Sequence, residues 1–170
     1  MPLTMYQASV PVFRQFLTSL SDISTKAAAH CAARKIDPSV LVNARLYPDM
    51  HPFSRQIQIA TDQAKGAVAR LAGVEIPSYA DSEKSFEELQ ARLAKTLDYV
   101  NSFKPAQIDG TEEREIVLTF GTQKFPFTGQ TFLIHFALPN FYFHTTTAFA
   151  ILRHNGIEIG KRDFMGQPPR

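Results

Sequence analysis

The chain has 170 residues, a formal net charge of +2 and a single cysteine, Cys31. This length suits one domain, residues 1–170, with a substantial core, and the near balance of charge argues against a nucleic-acid-binding surface. One cysteine excludes an internal disulfide or a multi-cysteine metal cluster. No segment resembles a secretion signal or reaches the about 18 apolar residues of a membrane span, so we expect a soluble, cytoplasmic protein.

The first predicted element is a long helix. From Phe13 onward, apolar residues recur at steps of three and four, which gives a helix one buried face. Pro11 fits the first turn of this helix, where a missing N–H costs little. Asp37-Pro38 ends the pattern, because the residue before a proline is disfavoured in the α region. Residues 37–50 have no sustained helical period, which predicts a long crossover.

Two further helices follow the crossover. The second helix is predicted to begin near His51-Pro52, with Pro52 at its first helical position, and to end at Gly73. The third helix begins at Ser85, since the Ser85 hydroxyl and the Glu88 carboxylate fit a capping box. Both helices carry an apolar stripe, and the many alanines of the second helix allow close approach by another helix.

A small hairpin and a fourth helix complete the predicted fold. Residues 115–127 alternate as a strand does, Gly121 begins a turn, and Pro126 restricts the return strand to an edge. The fourth helix is predicted over residues 130–154, with a kink at Pro139. The remaining tail is expected to cross the bundle without forming a helix. The sequence therefore predicts an all-α four-helix bundle with a long crossover after helix 1 and a β-hairpin before helix 4.

Three residues of the fourth helix are candidates for function. Asn140 and His144 lie four residues apart and so share one helix face. This pair is either the inner edge of a metal site or a polar seam in the core. Tyr142 could offer a hydroxyl group to a ligand, although the aromatic residues around it also suit a core or a dimer interface.

The start of the second helix offers a second group of candidates. His51 either caps this helix or, if Asp49 forms the cap, points into the bundle. Arg55 and Asp62 lie near the helix face of His51 and are candidates to line a pocket. The rest of the histidines and the cysteine are expected to have structural roles: His30, His135, His154 and Cys31.

Three stretches of the sequence, taken with the order of the predicted elements, resemble the DinB/YfiT-like superfamily of four-helix bundles. They are LYPDMHPFSRQIQIATDQAKGAVARLAGVEIP, SEKSFEELQARL and PNFYFHTTTAFAILRHNGIEIGKRDFMG. They look like a bacterial branch known as a domain of unknown function. The resemblance implies a divalent metal ion held by three histidines, one near the start of the second helix and two in an H-x-x-x-H pair on the fourth. For some members it also implies thiol-dependent transferase or isomerase activity, and it implies homodimers.

This resemblance puts metal ligands at His51 and His144, with Asn140 at the position of the third histidine. An amide oxygen is a harder and weaker ligand than imidazole, so a lower affinity for Ni or Zn is expected. The sequence leaves two functions open. One is a divalent-metal-dependent enzyme of the thiol-transferase type. The other is a metal-free homodimeric bundle that binds a small ligand or has a structural role; neither function involves nucleic acid or a membrane.

Overall fold

The computed structural model describes residues 2–167, which form four long helices and several short elements. The long helices are α1 (Val10–Arg34), α3 (Phe53–Ala72), α4 (Phe86–Ser102) and α7 (Leu138–His154), and the short ones are α2 (Pro38–Val42), α5 (Pro105–Ile108), α6 (Gly129–Phe132) and α8 (Lys161–Met165). Strands β1 (Glu115–Phe120) and β2 (Gln123–Thr128) pair antiparallel, and a π-helical segment (Leu133–Ala137) joins α6 to α7. The predicted helical bundle with a hairpin before the fourth long helix is confirmed.

The core lies between the four long helices. Helix α3 packs against both α4 and α7, and α1 packs against the same two helices from the other side. The largest fully buried aromatic side chains are Phe13, Phe53, Phe86, Phe132 and Phe141. The rings of Phe13 and Phe141 meet edge to face with their centroids 4.9 Å apart, which joins α1 to α7. Among residues 2–167, no helix is both long enough and apolar enough to cross a bilayer.

The helix starts differ slightly from those predicted. The Ser85 hydroxyl accepts the N–H of Glu88 at 3.2 Å, as expected, but the Glu88 carboxylate accepts the N–H of Lys84 at 2.5 Å and not that of Ser85. Helix α3 begins one residue later than predicted, so that Pro52 precedes the helix. No side chain caps α3, and the cap considered at Asp49 is therefore not formed.

Two short helices lie where none was predicted. Helix α2 forms within the crossover, where the Asp37 carboxylate accepts the N–H of Ser39 at 2.9 Å. Helix α8 forms in the tail, where the Asp163 carboxylate accepts the N–H of Gly160 at 2.7 Å. Asp163 also pairs with Lys26 of α1 at 2.5 Å, which fastens the tail to the bundle. Helices of one turn are too short to show an apolar period, so the sequence did not reveal them.

A buried arginine fixes the α3–α4 loop (residues 74–85). Arg92 of α4 is 4% exposed, and its Nη1 lies 3.0 Å from a carboxylate oxygen of Glu83. The Nη2 of Arg92 lies 2.8 Å from the Asp62 carboxylate and 3.1 Å from that of Asp81. A buried charge is tolerated when it is paired in this way. The loop is thus held to α3 and α4 by one polar network.

Candidate functional site

His144 of α7 is bound to α3 through Gln56. The Nδ1 of His144 lies 2.7 Å from Oε1 of Gln56, and Nε2 of Gln56 donates to the backbone carbonyl of His51 at 3.1 Å. A carbonyl oxygen only accepts, so the NH₂ group of Gln56 faces His51 and its oxygen faces His144. His144 therefore donates from Nδ1, and its Nε2 keeps a lone pair that is available to a ligand.

The surroundings of His144 keep its imidazole uncharged. Burial lowers the pKa of His144 to about 4, and the charges of His51 and Arg55 act in the same direction. The ring of Phe143 packs edge-on against the imidazole, with the two centroids 5.2 Å apart. At neutral pH, His144 is thus in the state in which histidine binds a metal ion or accepts a proton.

The other predicted residues of the second long helix lie at the same end of the bundle. His51 directly precedes the first turn of α3, and its side chain is exposed. Arg55 donates to Oε1 of Gln58 at 3.1 Å and also contacts the Asp81 carboxylate. These contacts hold Arg55 toward the α3–α4 loop, while its charge still lowers the pKa of His144. The fold therefore places the His51 backbone, Arg55 and the His144 ring at one end of the bundle, with Gln56 joining His51 to His144.

Asn140 lies one turn before His144 on α7 and is partly buried. Its Nδ2 donates to the backbone carbonyl of Phe136 at 2.8 Å. Because the amide nitrogen is used in this bond, the amide oxygen is the ligand atom that Asn140 offers. The side chain that contacts the His144 ring nitrogen is Gln56 and not Asn140.

Tyr142 faces away from this site. It lies two residues before His144 on α7, which turns it by about 200° around the helix axis. Its ring packs edge to face against Phe16 of α1, with the two centroids 5.1 Å apart. Burial raises the pKa of the Tyr142 hydroxyl, so this group stays protonated at neutral pH. The structure thus places Tyr142 at the contact between α1 and α7.

Asp62 lies two turns beyond Arg55 on α3, and its partners are cationic side chains and not the histidines. Its carboxylate pairs with Lys65 and with Arg92, each at 2.8 Å. Both cationic side chains are almost completely buried, whereas Asp62 is partly exposed. Asp62 is therefore part of the network that fixes the α3–α4 loop.

The remaining histidines and the cysteine also lie apart from His144. His135 and His154 are exposed, and His30 of α1 is partly buried. Cys31 is fully buried, and burial raises the pKa of its thiol. A buried thiol with a raised pKa is unreactive, which agrees with the structural role predicted for Cys31.

The donor atoms at this end of the bundle are suitable metal ligands, but they are fewer than in a strong metal site. Within residues 2–167, no three His, Cys, Asp or Glu side chains form a group that could hold a metal. The available donors are the imidazoles of His51 and His144 and the amide oxygen of Asn140. Neutral imidazole is a common ligand of zinc and nickel, so this set fits a weak, open site in which water completes the coordination.

Gln56 was not among the site residues predicted from the sequence. It lies between Phe53 and Ile57 on the buried face of α3 and is 1% exposed. A buried polar side chain needs a partner, so its position on an apolar face was a usable signal. The identity of the partner could not be read in the same way, because it depends on how α3 packs against α7.

The bundle, with a histidine at the start of its second long helix and another on its fourth, is of the DinB class. It is similar to the crystal structure of a DinB family member protein from Shewanella denitrificans, with a TM-score of 0.88 and 41% identity over 97% of this chain and 93% of that chain. Residues 5–165 match the family model described as domain of unknown function DUF1993. The chain belongs to the DUF1993 family. A search of curated proteins found no match.

Proposed function

We propose that His51, His144 and Asn140 bind one divalent metal ion, such as Ni²⁺ or Zn²⁺, in an enzyme that acts on a small-molecule thiol. The main support is the 2.7 Å contact between Gln56 and Nδ1 of His144. Histidines that bind metals usually donate their other ring N–H to such a partner. The two imidazoles would supply nitrogen ligands, and Asn140 would supply an oxygen ligand.

A bound ion would supply Lewis-acid activation, by lowering the pKa of a thiol or water in an open position. The chain itself prepares the ligands. Gln56 fixes the orientation of the His144 ring, and the pKa of about 4 prevents protons from competing for His144 at neutral pH. Arg55 lies beside the site, but its guanidinium already pairs with the Asp81 carboxylate.

Metal binding can be tested by equilibrium dialysis of chelator-treated protein against Ni²⁺ or Zn²⁺, with elemental analysis of the retained metal. We expect one ion per chain in the wild type and a large loss in His51→Ala and in His144→Ala. His135→Ala is the matched control, because this histidine is exposed elsewhere on the fold. Equal retention in all four proteins, or no retention in the wild type, would contradict the proposed metal site.

The enzymatic part needs a separate assay. Consumption of a low-molecular-weight thiol in the presence of an electrophile is measured with a thiol-reactive dye, with and without the added ion. We expect metal-dependent consumption that His144→Ala abolishes and His135→Ala leaves unchanged. Saturable metal binding without any such reaction across a panel of thiols would leave the metal site in place and remove the transferase function.

A metal-free binding site is the second candidate, and the amide at Asn140 favours it. A free lone pair on His144 and an amide oxygen on the same helix face are both acceptors, which suits a neutral ligand that carries hydroxyl groups. This function predicts that such a ligand raises the Tm of the protein in the presence of a chelator. A screen in which divalent ions alone raise the Tm would count against it.

A further inference from the structure

A cavity of about 260 Å³ lies between α3 and the β-hairpin, and its lining includes none of His51, Asn140 and His144. Its apolar wall is formed by Ile76, Leu118, Phe120 and Phe136, and its polar wall by residues of α3 that include Lys65 and Arg70. Arg70 is about 21 Å along α3 from Gln56, at about 1.5 Å per residue. The cavity is therefore a separate feature of the surface.

Arg70 brings to this cavity a positive charge that has no counter-ion. Among residues 2–167, the ion pairs involve other arginines and lysines, and no carboxylate pairs with Arg70. The side chain is partly buried, and burial alone accounts for the lowering of its pKa. Its guanidinium carbon lies 5.9 Å from the centroid of the Phe132 ring, a contact that provides no hydrogen-bond acceptor in the plane of the guanidinium.

The two other charged side chains of the cavity offset each other. Lys65 pairs with Asp62 at 2.8 Å, and Asp62 also pairs with Arg92 at 2.8 Å. The Asp62 carboxylate is thus already shared between two cations. Arg70 therefore gives the cavity an unbalanced positive charge, next to apolar side chains from the hairpin.

Gly66 makes room for the guanidinium of Arg70. A Cβ atom at residue 66 would lie 2.6 Å from Nη1 of Arg70, which is closer than non-bonded atoms approach. Glycine is among the least favourable residues inside a helix, and Gly66 lies in the middle of α3. The absent side chain allows Arg70 to fold back along α3 at the wall of the cavity.

We propose that this cavity binds a small organic anion, with its carboxylate or phosphate group on Arg70 and a flat apolar body against Phe120 and Phe136. A guanidinium can form two parallel hydrogen bonds with either kind of acidic group. Phe120 is 54% exposed, so the same ligand would also remove apolar surface from water. The volume is below the about 300–1,000 Å³ of pockets for drug-sized ligands, which favours a single ring with one acidic group.

Isothermal titration calorimetry in the presence of a chelator tests this site independently of the metal proposal. The probes are benzoate, phenyl phosphate, inorganic phosphate and benzamide, the last being the neutral counterpart of benzoate. We expect saturable binding of benzoate or phenyl phosphate, weakened about tenfold or more by Arg70→Gln. Arg14→Gln is the control, because it removes an equal charge from an exposed position on α1 and should leave the affinity unchanged.

Gly66→Ala separates binding from folding. The added methyl group displaces the flexible end of Arg70 and improves the helix propensity of α3, so binding should weaken about tenfold while the Tm does not fall. Stronger binding of benzoate identifies a carboxylate ligand, and stronger binding of phenyl phosphate identifies a phosphate ligand. Three outcomes would overturn the proposal: no saturable binding of either aromatic anion up to about 10 mM, equal binding by wild type and Arg70→Gln, or binding of benzamide or inorganic phosphate as tight as that of the aromatic anions.

Discussion

Replacing Arg92 with methionine tests whether its polar network holds the α3–α4 loop. Arg92→Met keeps an unbranched side chain but removes the charge. In the wild type, the guanidinium pairs with three carboxylates: those of Asp62, Asp81 and Glu83. Its Nε also donates to the hydroxyl of Thr61 at 2.7 Å. All of these groups lose a partner in the variant.

The expected loss in the free energy of unfolding depends on the partners that the three carboxylates retain. Removing one partner of a buried ion pair destabilises a protein by about 3–5 kcal/mol. Here each carboxylate retains a second partner: Lys65 for Asp62, Arg55 for Asp81 and Gln58 for Glu83. The side chains of Asp62 and Asp81 are also 36% and 37% exposed, so water can form some of the hydrogen bonds that the guanidinium formed in the wild type. We therefore expect the lower end of the range, a loss of about 3 kcal/mol in the free energy of unfolding.

Urea unfolding followed by circular dichroism measures this loss. The midpoint should fall while the slope m stays unchanged, because the surface exposed on unfolding is nearly the same. Arg14→Met, at an exposed position on α1, is the matched control and should change the free energy of unfolding by less than about 0.5 kcal/mol. A loss below about 1 kcal/mol for Arg92→Met would refute the reasoning, since exposed ion pairs contribute that much.

Three further predictions concern single sites. Gln56→Glu places a carboxylate against Nδ1 of His144. The pKa of His144, measured by NMR titration, should therefore rise well above about 4. An unchanged pKa would contradict the contact between residue 56 and His144. In chelator-treated wild type, His144 is protonated near pH 6.5 in the unfolded state and near pH 4 in the folded state. Its contribution to the free energy of unfolding should therefore be constant above pH 6.5, fall by at most about 1.4 kcal/mol per pH unit between pH 6.5 and about 4, and level off below that. His144→Asn should remove that component of the pH dependence, and a slope that persists unchanged would assign it to other groups. Gly129→Ala would bring a Cβ atom to 2.1 Å from the backbone oxygen of Thr111. We expect thermal unfolding to show a loss of about 1–3 kcal/mol in the free energy of unfolding. A Tm equal to that of the wild type would contradict the close approach.

The long helices were predictable because each carries its own signals. Apolar residues at steps of three and four marked the buried faces, and a glycine or a serine marked the ends at Gly73 and Ser85. Helices α2 and α8 were not predictable, since a single turn contains too few residues to show a period. The π-helical segment Leu133–Ala137 was also missed, because the kink was expected at Pro139 itself.

Position within a helix alone did not predict the candidate site. The resemblance named His51 and His144 as metal ligands, and in the structure Gln56 joins the His51 backbone to the His144 ring. Tyr142 was a candidate because of its hydroxyl and Asp62 because of its helix face. Neither property specifies the neighbouring helix, and both residues contact other partners. The homodimer and the cytoplasmic location stay predictions, and sedimentation of the purified protein is the direct measurement for the first.

The π-helical segment also determines the direction in which the side chains of α7 point around the helix axis. Such a segment amounts to one residue inserted into a regular helix, and each α-helical residue turns the chain by about 100°. Deleting one residue within Leu133–Ala137 would restore regular winding and swing the downstream side chains around the axis by that angle. His144 would then no longer contact Gln56, even though every residue of α7 remained in the sequence. The position of one imidazole therefore depends on a single extra residue two to three turns upstream.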